Sequence, residues 1–208
     1  MIYEKGSGNM VKIRIASLKD MAEVLEIYRY YVENTAITFE YDVPTLEEFE
    51  ERYKHVVQRY PYIVAVMDDQ IVGYAYAGAF NFREAYDWSV ETTIYVKPDC
   101  RKNGIGKALY TALENILKEQ GILNLNACIG YPIQEDQYLT KNSVEYHQHL
   151  GYKWVGEFHK CGYKFQTWYD MVWMEKMIGE HQDKQPPILS FDDVKEIIKE
   201  KYDIREVL

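Results

Sequence analysis

The sequence predicts an α/β (α+β) fold in which helices flank a mixed, mainly antiparallel central sheet of about seven strands. Short runs of β-branched and aromatic residues are mostly joined by connections of hairpin length. Segments with helical periodicity interrupt these runs and provide two crossovers between strands. Hydrophobic residues make up 47% of the 208 positions, which is enough for one sizeable core.

The strands are predicted from alternation or from continuous apolar runs that end at Gly, Pro, Asn or Asp. In chain order they cover residues 11–15, 62–67, 71–80, 90–96, 123–129, 153–159 and 167–174.

The helices are predicted from apolar residues at a spacing of three and four, and three of them begin with a capping sequence. In chain order they cover residues 17–34, 45–60, 108–120 and 143–150, and a last helix begins at Ser190. A proline or a glycine ends several of them.

Composition divides the chain into three parts. Residues 1–10 are a polar N-terminal extension, 11–177 form the main domain, and 178–208 are a linker with a Pro-Pro step and a C-terminal helical tail. The sequence leaves open whether that tail docks on the main domain or on a partner.

Cysteine usage and hydropathy indicate a cytoplasmic protein. The three cysteines lie far apart and form no Cys-x-x-Cys pair, which favours a reducing compartment and no metal site. The first ten residues have no apolar leader segment, and no run reaches the length that spans a membrane.

Charge is distributed unevenly. The net charge of −9 argues against a nucleic-acid partner held by bulk charge. Residues 97–107 nevertheless carry four bases and one acid, a local charge of +3. A basic loop on an acidic protein indicates a small anionic ligand, although a solvated loop is the default interpretation of the charges alone.

The same segment contains Arg101-x-x-Gly104-x-Gly106 between a predicted strand and a predicted helix. This arrangement directs backbone N–H groups and the positive end of a helix toward one point, as in sites that hold a pyrophosphate. Taken alone the motif is weak, because glycine pairs are common in ordinary tight turns.

With this loop and its flanking elements, the chain resembles the GNAT superfamily of acyl-CoA N-acyltransferases. The segment Ala85-Tyr-Asp-Trp-Ser-Val-Glu91 is more specific than the glycine motif and resembles the phosphinothricin and methionine sulfoximine acetyltransferase group. The likeness covers roughly residues 11–177 and implies the GNAT fold, with acetyl-CoA as co-substrate.

The resemblance also implies the coenzyme contacts. Backbone groups of one strand would pair with the pantetheine arm, the loop after it would cradle the pyrophosphate, and an asparagine before a short helix would contact the coenzyme. These positions are Ile94, Tyr95, Val96, Arg101, Lys102, Asn103, Gly104, Ile105, Gly106, Lys107 and Asn142.

Glu91 matches the family's proposed general base, since an amine must lose a proton before it can attack a thioester. The alternative is an inward acid that is satisfied by hydrogen bonds. His147 matches the residue that would protonate the leaving thiolate, and the alternative is an exposed helix histidine. Tyr146 is a weaker candidate donor.

The acceptor in that group carries an amine and a carboxylate, which suggests Arg83 as the carboxylate partner and Phe39, Tyr86 and Trp88 as pocket walls. The alternatives are a surface charge for Arg83 and core positions for the aromatics. The segment 130–142 is several residues longer than in the resembled group, which bears on the acceptor.

The sequence thus predicts acetyl transfer from acetyl-CoA to the primary amine of a small amino acid or analogue, by direct attack in a ternary complex. A protein N-terminal or lysine acetyltransferase and a non-catalytic CoA-binding sensor are the alternatives. The partners expected are a small-molecule amine and a second copy of the chain through residues 168–173, with no nucleic acid and no membrane.

Overall fold

In the computed structural model, which describes residues 1–4 and 10–206, eight strands form one sheet in the order β1-β2-β3-β4-β5-β6-β8-β7. The strands are β1 (Ile2–Glu4), β2 (Met10–Ile15), β3 (Tyr62–Met67), β4 (Gln70–Ala79), β5 (Ser89–Val96), β6 (Asn124–Tyr131), β7 (Lys153–Lys164) and β8 (Thr167–Met177). The seven predicted strands are confirmed. The short β1 is an additional strand at the edge of the sheet.

The helices are α1 (Met21–Asn34), α2 (Leu46–Val57), α3 (Ile105–Gln120), α4 (Asn142–His149) and α5 (Phe191–Tyr202). The capping sequences at Thr45 and Ser190 form as predicted, each with its side chain accepting the backbone N–H three residues later. The helices α1 and α2 cover one face of the sheet, and α3 and α5 cover the other. The predicted architecture is therefore confirmed.

The two central strands separate part-way along their length. β5 and β6 are the parallel neighbours in the sheet, and their register extends only from Ser89–Asn124 to Glu91–Asn126. Beyond that point β5 pairs only with β4, and β6 pairs only with β8. A gap therefore opens in the middle of the sheet, immediately after Glu91.

The C-terminal tail packs on the chain's own main domain. Phe191, Val194 and Ile198 of α5 are buried against α3 in the larger hydrophobic core. Gln120, the last residue of α3, donates through its side chain to Leu189 O at 3.1 Å and accepts the Leu189 N–H at 2.8 Å. The structure thus answers the question that the sequence left open.

Lys164 ties the β7–β8 hairpin to the end of α1. Its buried ammonium donates to Val32 O at 2.8 Å, Thr35 O at 2.8 Å and Thr38 O at 2.9 Å. These carbonyls lie at the C-terminus of α1 and just after it, where a helix leaves acceptors without internal partners. The contact fixes the start of the segment that connects α1 to α2.

Replacing Lys164 with methionine should lower the free energy of unfolding by about 2–4 kcal/mol, because three buried carbonyls lose a charged donor. Urea unfolding of Lys164→Met measures the loss. The matched control is Lys153→Met, an exposed lysine on the same strand, which should change stability by less than about 0.5 kcal/mol. Equal effects of the two substitutions would contradict the structural role of Lys164.

Candidate active site

The gap between β5 and β6 exposes a specific backbone position. At the two ends of β5, Lys97 N–H donates to Val72 O at 2.8 Å and Ser89 O accepts the Phe80 N–H. Because backbone groups alternate in direction along a strand, the odd-numbered residues of β5 direct theirs toward β4. The even-numbered residues therefore face the gap. Ile94 is one of them, and Tyr95 is not.

Val96 also faces the gap, but a side chain already occupies its backbone groups. The Tyr31 hydroxyl donates to Val96 O at 2.5 Å and accepts the Val96 N–H at 3.3 Å. Three positions are predicted to pair with pantetheine. Ile94 is the one whose N–H and C=O face the gap and are not occupied by the Tyr31 hydroxyl.

The loop after β5 has the backbone geometry of an anion site. Lys102 and Gly104 both adopt positive φ angles, 61° and 78°, and Gly104 is the N-cap of α3. The left-handed conformation at Gly104 favours glycine. Successive N–H groups and the N-terminus of a 16-residue helix thus converge, which suits a pyrophosphate.

Arg101 contacts Tyr31, whose hydroxyl also pairs with the backbone of Val96 at the end of β5. Its Nε donates to the Tyr31 hydroxyl at 3.3 Å, and its guanidinium carbon lies 4.9 Å from the centre of the Tyr31 ring. The side chain of Asn103 turns back and donates to Cys100 O at 3.3 Å. Lys102 and Lys107 are exposed and add positive charge around the loop.

Gly106 lies where α3, α4 and β5 approach one another. A β-carbon at this position would lie 2.7 Å from the hydroxyl oxygen of Tyr146 and 3.6 Å from Cδ1 of Ile94. The Tyr146 hydroxyl is buried and has no hydrogen-bond partner within the described part of the chain. The absence of a side chain at Gly106 is therefore required by Tyr146.

A cavity of about 240 Å³ meets the gap and is lined from both faces of the sheet. Its lining includes Tyr28, Ile37, Glu40, Phe49, Arg52, Tyr53, Val56, Tyr62, Tyr74, Tyr76, Glu91, Thr92, Thr93, Ile94, Tyr95, Tyr110, Ala127, Cys128, Ile129, Gly130, Ser143 and His147. Residues from α1 and α2 form one side, and residues from α3 and α4 form the other.

Glu91 is half-buried at the point where the two strands separate, and it lines this cavity. Burial raises the pKa of its carboxyl group. Among residues 1–4 and 10–206 no hydrogen bond or ion pair to the Glu91 carboxylate is present. The geometry thus differs from that of an inward acid satisfied by hydrogen bonds.

His147 also lines the cavity, but it is buried and both ring nitrogens have partners. Nδ1 lies 2.7 Å from Ser143 O, so this nitrogen carries a proton in the neutral ring. Nε2 then accepts from the Tyr110 hydroxyl at 2.9 Å. Burial lowers the pKa of His147. The alternative of an exposed helix histidine is wrong.

A buried hydrogen-bond network extends from this pair toward the gap. Thr92 Oγ1 lies 3.1 Å from the Tyr152 hydroxyl and donates to Asn126 O at 3.1 Å, next to the last paired position of β5 and β6. Tyr110 lies 3.5 Å from the same threonine oxygen. No spacing along the chain marks a contact between remote elements, so the sequence alone does not reveal these residues.

The structure places all four predicted acceptor residues outside the cavity lining, and three of them lie on or next to the β4–β5 connection. Arg83 and Tyr86 are exposed on the β4–β5 connection. The Trp88 indole N–H donates to Pro186 O at 2.8 Å, so this side chain contacts the C-terminal tail. Arg83, Tyr86 and Trp88 therefore form no wall of this cavity, since proximity to Glu91 in sequence does not bring them to its side chain.

Phe39 lies behind the cavity wall. Its ring is 6.3 Å from that of Tyr169, and it approaches Gly130 and Gly162 so closely that a β-carbon on Gly162 would lie 2.3 Å away. Gly130 lines the cavity and Phe39 itself does not. Phe39 thus supports the wall from outside, as the core interpretation predicted.

Asn142 begins α4 and is exposed, whereas the next residue, Ser143, lines the cavity. The longer segment before it is ordered by Asp136. This carboxylate accepts the N–H groups of Tyr138 at 2.7 Å and Leu139 at 2.8 Å, and the Tyr169 hydroxyl at 2.6 Å. The position of Asn142 gives it no contact with the cavity.

One group of metal-ligating side chains occurs within the described residues. Glu157, His159 and Asp170 place one ligand atom each within 4.8 Å of the others, on β7 and β8. None of the three lines the cavity. The group therefore has no part in the chemistry of the gap.

The comparisons with known proteins agree with this geometry. A family model described as an acetyltransferase (GNAT) domain matches residues 13–173. Phosphinothricin N-acetyltransferase of Streptomyces viridochromogenes is 35% identical over 166 residues, which cover 80% of this chain and 87% of that protein. An L-methionine sulfoximine/L-methionine sulfone acetyltransferase of Pseudomonas aeruginosa is 31% identical over 168 residues, covering 78% and 92%.

A solved structure of a phosphinothricin acetyltransferase from Sinorhizobium meliloti, in complex with AcCoA, superimposes with a TM-score of 0.77. It is 33% identical and covers 85% of this chain and 92% of that chain. The chain belongs to the GNAT acetyltransferase family. It is an N-acetyltransferase that uses acetyl-CoA and transfers the acetyl group to an amine. No helix in the described residues is long and apolar enough to cross a bilayer.

Acetyl-CoA should slow hydrogen exchange at the Ile94 amide by at least about tenfold, because that N–H faces the gap. The Val96 amide should respond much less, since the Tyr31 hydroxyl already accepts a hydrogen bond from its N–H. Residue-resolved exchange with and without acetyl-CoA tests this. In Tyr31→Phe the Val96 amide should exchange faster. Equal protection of both amides in the unaltered protein would contradict the assignment.

Gly106→Ala should lower the free energy of unfolding by about 1–3 kcal/mol, because the new methyl group meets the Tyr146 hydroxyl. Tyr146→Phe should cost less than about 1 kcal/mol, since it removes a hydroxyl that has no partner. In the Tyr146→Phe background, Gly106→Ala should cost much less, because the nearest atom is then the ring carbon Cζ at 3.2 Å, which needs to shift by only a few tenths of an ångström. A double-mutant cycle by denaturant unfolding tests this, and additive effects would contradict the close approach.

Proposed function

We propose that this enzyme transfers the acetyl group of acetyl-CoA to the primary amine of a small amino acid or amino-acid analogue, by direct attack in a ternary complex. The observation that carries the proposal is the unpaired Glu91 carboxylate in a cavity lined from both faces of the sheet. Two substrates that enter from opposite faces meet at such a position without crossing each other's path.

The donor side fits acetyl-CoA. Ile94 presents an N–H and a C=O to the gap, as an added strand would require, and pantetheine carries amides that can pair with them. The N–H groups of residues 102–107 and the α3 terminus would hold the pyrophosphate. Arg101, stacked on Tyr31, would add a guanidinium near that group.

Glu91 acts in this proposal as the general base. It accepts a proton from the acceptor's ammonium, directly or through one water, and the nitrogen gains the lone pair that attacks the thioester carbonyl carbon. The C–N bond forms, the C–S bond breaks, and the second proton of the nitrogen leaves as the amide forms. The released thiolate takes up one proton, and the reaction releases the other to solvent.

His147 enters the proposal as a positioning residue. Its protonated Nδ1 is held by Ser143 O, and its Nε2 accepts from Tyr110, so the neutral ring has no free proton to give to the thiolate. We therefore assign it to orienting Tyr110 next to Thr92, at the edge of the gap.

The shape of the cavity favours a small acceptor over the alternatives. Its volume of about 240 Å³ suits an amino acid. Tyr62, Tyr74 and Tyr76 stack with ring planes within 8° of one another and form a rigid wall. A non-catalytic CoA sensor would have no need of an unpaired carboxylate at the gap, because burying such a group costs stability.

We also propose a cytoplasmic homodimer. β7 is an edge strand of the sheet, and this edge carries exposed apolar residues. They are Trp154, Val155, Phe158 and Tyr163 on β7, together with Trp168 on the adjoining strand β8. In this proposal residues 11–177 are the catalytic domain and 178–208 an appendage that braces it. None of the three cysteines is in a disulfide, which suits a reducing compartment.

Glu91→Gln should lower kcat/KM for the acceptor about 100-fold or more, because the amide cannot accept the proton. In the unaltered enzyme, kcat/KM should fall as the pH drops through the raised pKa of Glu91, above the usual range of a glutamic acid. Glu91→Gln should lack this acid limb. Thiol release from acetyl-CoA, measured from pH 5 to 9, tests both.

The matched control is Glu84→Gln, which removes an exposed carboxylate from the nearby connection. It should leave the rate and the pH profile unchanged. An unchanged acid limb in Glu91→Gln would remove Glu91 from the role of base.

A further inference from the structure

Arg52 is the one lysine or arginine among the residues that line the cavity in the described chain. It lies on α2, and its side chain is half exposed, as expected for a group at the mouth of a pocket. Sequence analysis gave no reason to select it, because α2 is far from Glu91 along the chain.

A second residue holds Arg52 in place. Its Nη1 donates to Glu40 Oε1 at 2.7 Å, and this is its one ion pair with a described residue. A guanidinium has five N–H groups in a planar fork. One contact to Glu40 therefore fixes the group and leaves Nε and Nη2 available for a second carboxylate.

Arg52 and Glu91 act on the same surface of the cavity. The pKa of Tyr76 is raised first by burial and also by the charges of Glu91 and Glu40, whereas the charge of Arg52 lowers it. Glu40, Arg52 and Glu91 line the same cavity as this phenol. A cationic point and an anionic point therefore flank a tyrosine wall within one small cavity.

We propose that Arg52, oriented by Glu40, binds the carboxylate of the acceptor while its amine lies at Glu91. This inference rests on the proposed function and specifies it, since it requires an acceptor that carries a carboxylate as well as an amine. An amine without a carboxylate would leave the Arg52 fork unpaired and bind less well.

The experiment compares L-amino acids with their α-carboxamides, which retain the amine and the side chain but lack the negative charge. For Arg52→Gln, kcat/KM should fall about 10–100-fold with the amino acids, mainly through KM, and less than about threefold with the carboxamides. Arg52→Lys should restore part of the loss, because it supplies a point charge without the fork. The KM for acetyl-CoA should not change.

The matched control is Lys54→Gln, which removes a positive charge from the same helix at a residue outside the cavity lining. It should leave both classes of acceptor unaffected, which would separate local binding from a general effect of charge. Glu40→Gln should reproduce a smaller part of the Arg52→Gln loss, again with amino acids alone.

Equal losses with amino acids and carboxamides in Arg52→Gln would overturn the inference and leave the proposed function intact. Equal use of both acceptor classes by the unaltered enzyme would do the same. An absence of turnover with every amine, in a protein that still binds acetyl-CoA, would overturn the proposed function and the inference with it.

Discussion

The early end of the parallel pairing between β5 and β6 is the constraint on which the site depends. Strands that separate leave backbone groups without partners, and such groups are costly when buried. On β5 this cost is limited by Tyr31, because its hydroxyl satisfies the backbone N–H and C=O of Val96. Ile94 keeps a backbone N–H and C=O that face the gap, where the amides of pantetheine can pair with them.

The gap also separates two environments. On one side lie the positive end of α3 and the basic loop, which suit a highly anionic donor. On the other lie stacked tyrosines, the Arg52–Glu40 pair and a half-buried acid. Burial keeps the basicity of Glu91 above that of an exposed carboxylate, so the strand separation that admits the donor also prepares the base.

Periodicity and capping were enough to predict the sheet and its helices, and contiguous sequence located Glu91 and residues 101–107. The remaining site residues come from remote elements: Tyr31 from α1, Arg52 from α2 and Tyr110 from α3. No local pattern reports such convergence. Closeness in sequence to Glu91 does not bring Arg83 into the cavity lining, and Trp88 contacts a tail whose docking the sequence left open.

We propose that donor and acceptor reach the gap from opposite faces and meet at Glu91. A crystal structure with CoA and an unreactive acceptor analogue tests it most directly. We expect pantetheine to pair with Ile94 and the acceptor to lie on the α1–α2 side, with its reacting atom within about 3 Å of the Glu91 carboxylate or one water away. Both ligands on one face, or an acceptor remote from Glu91, would contradict it.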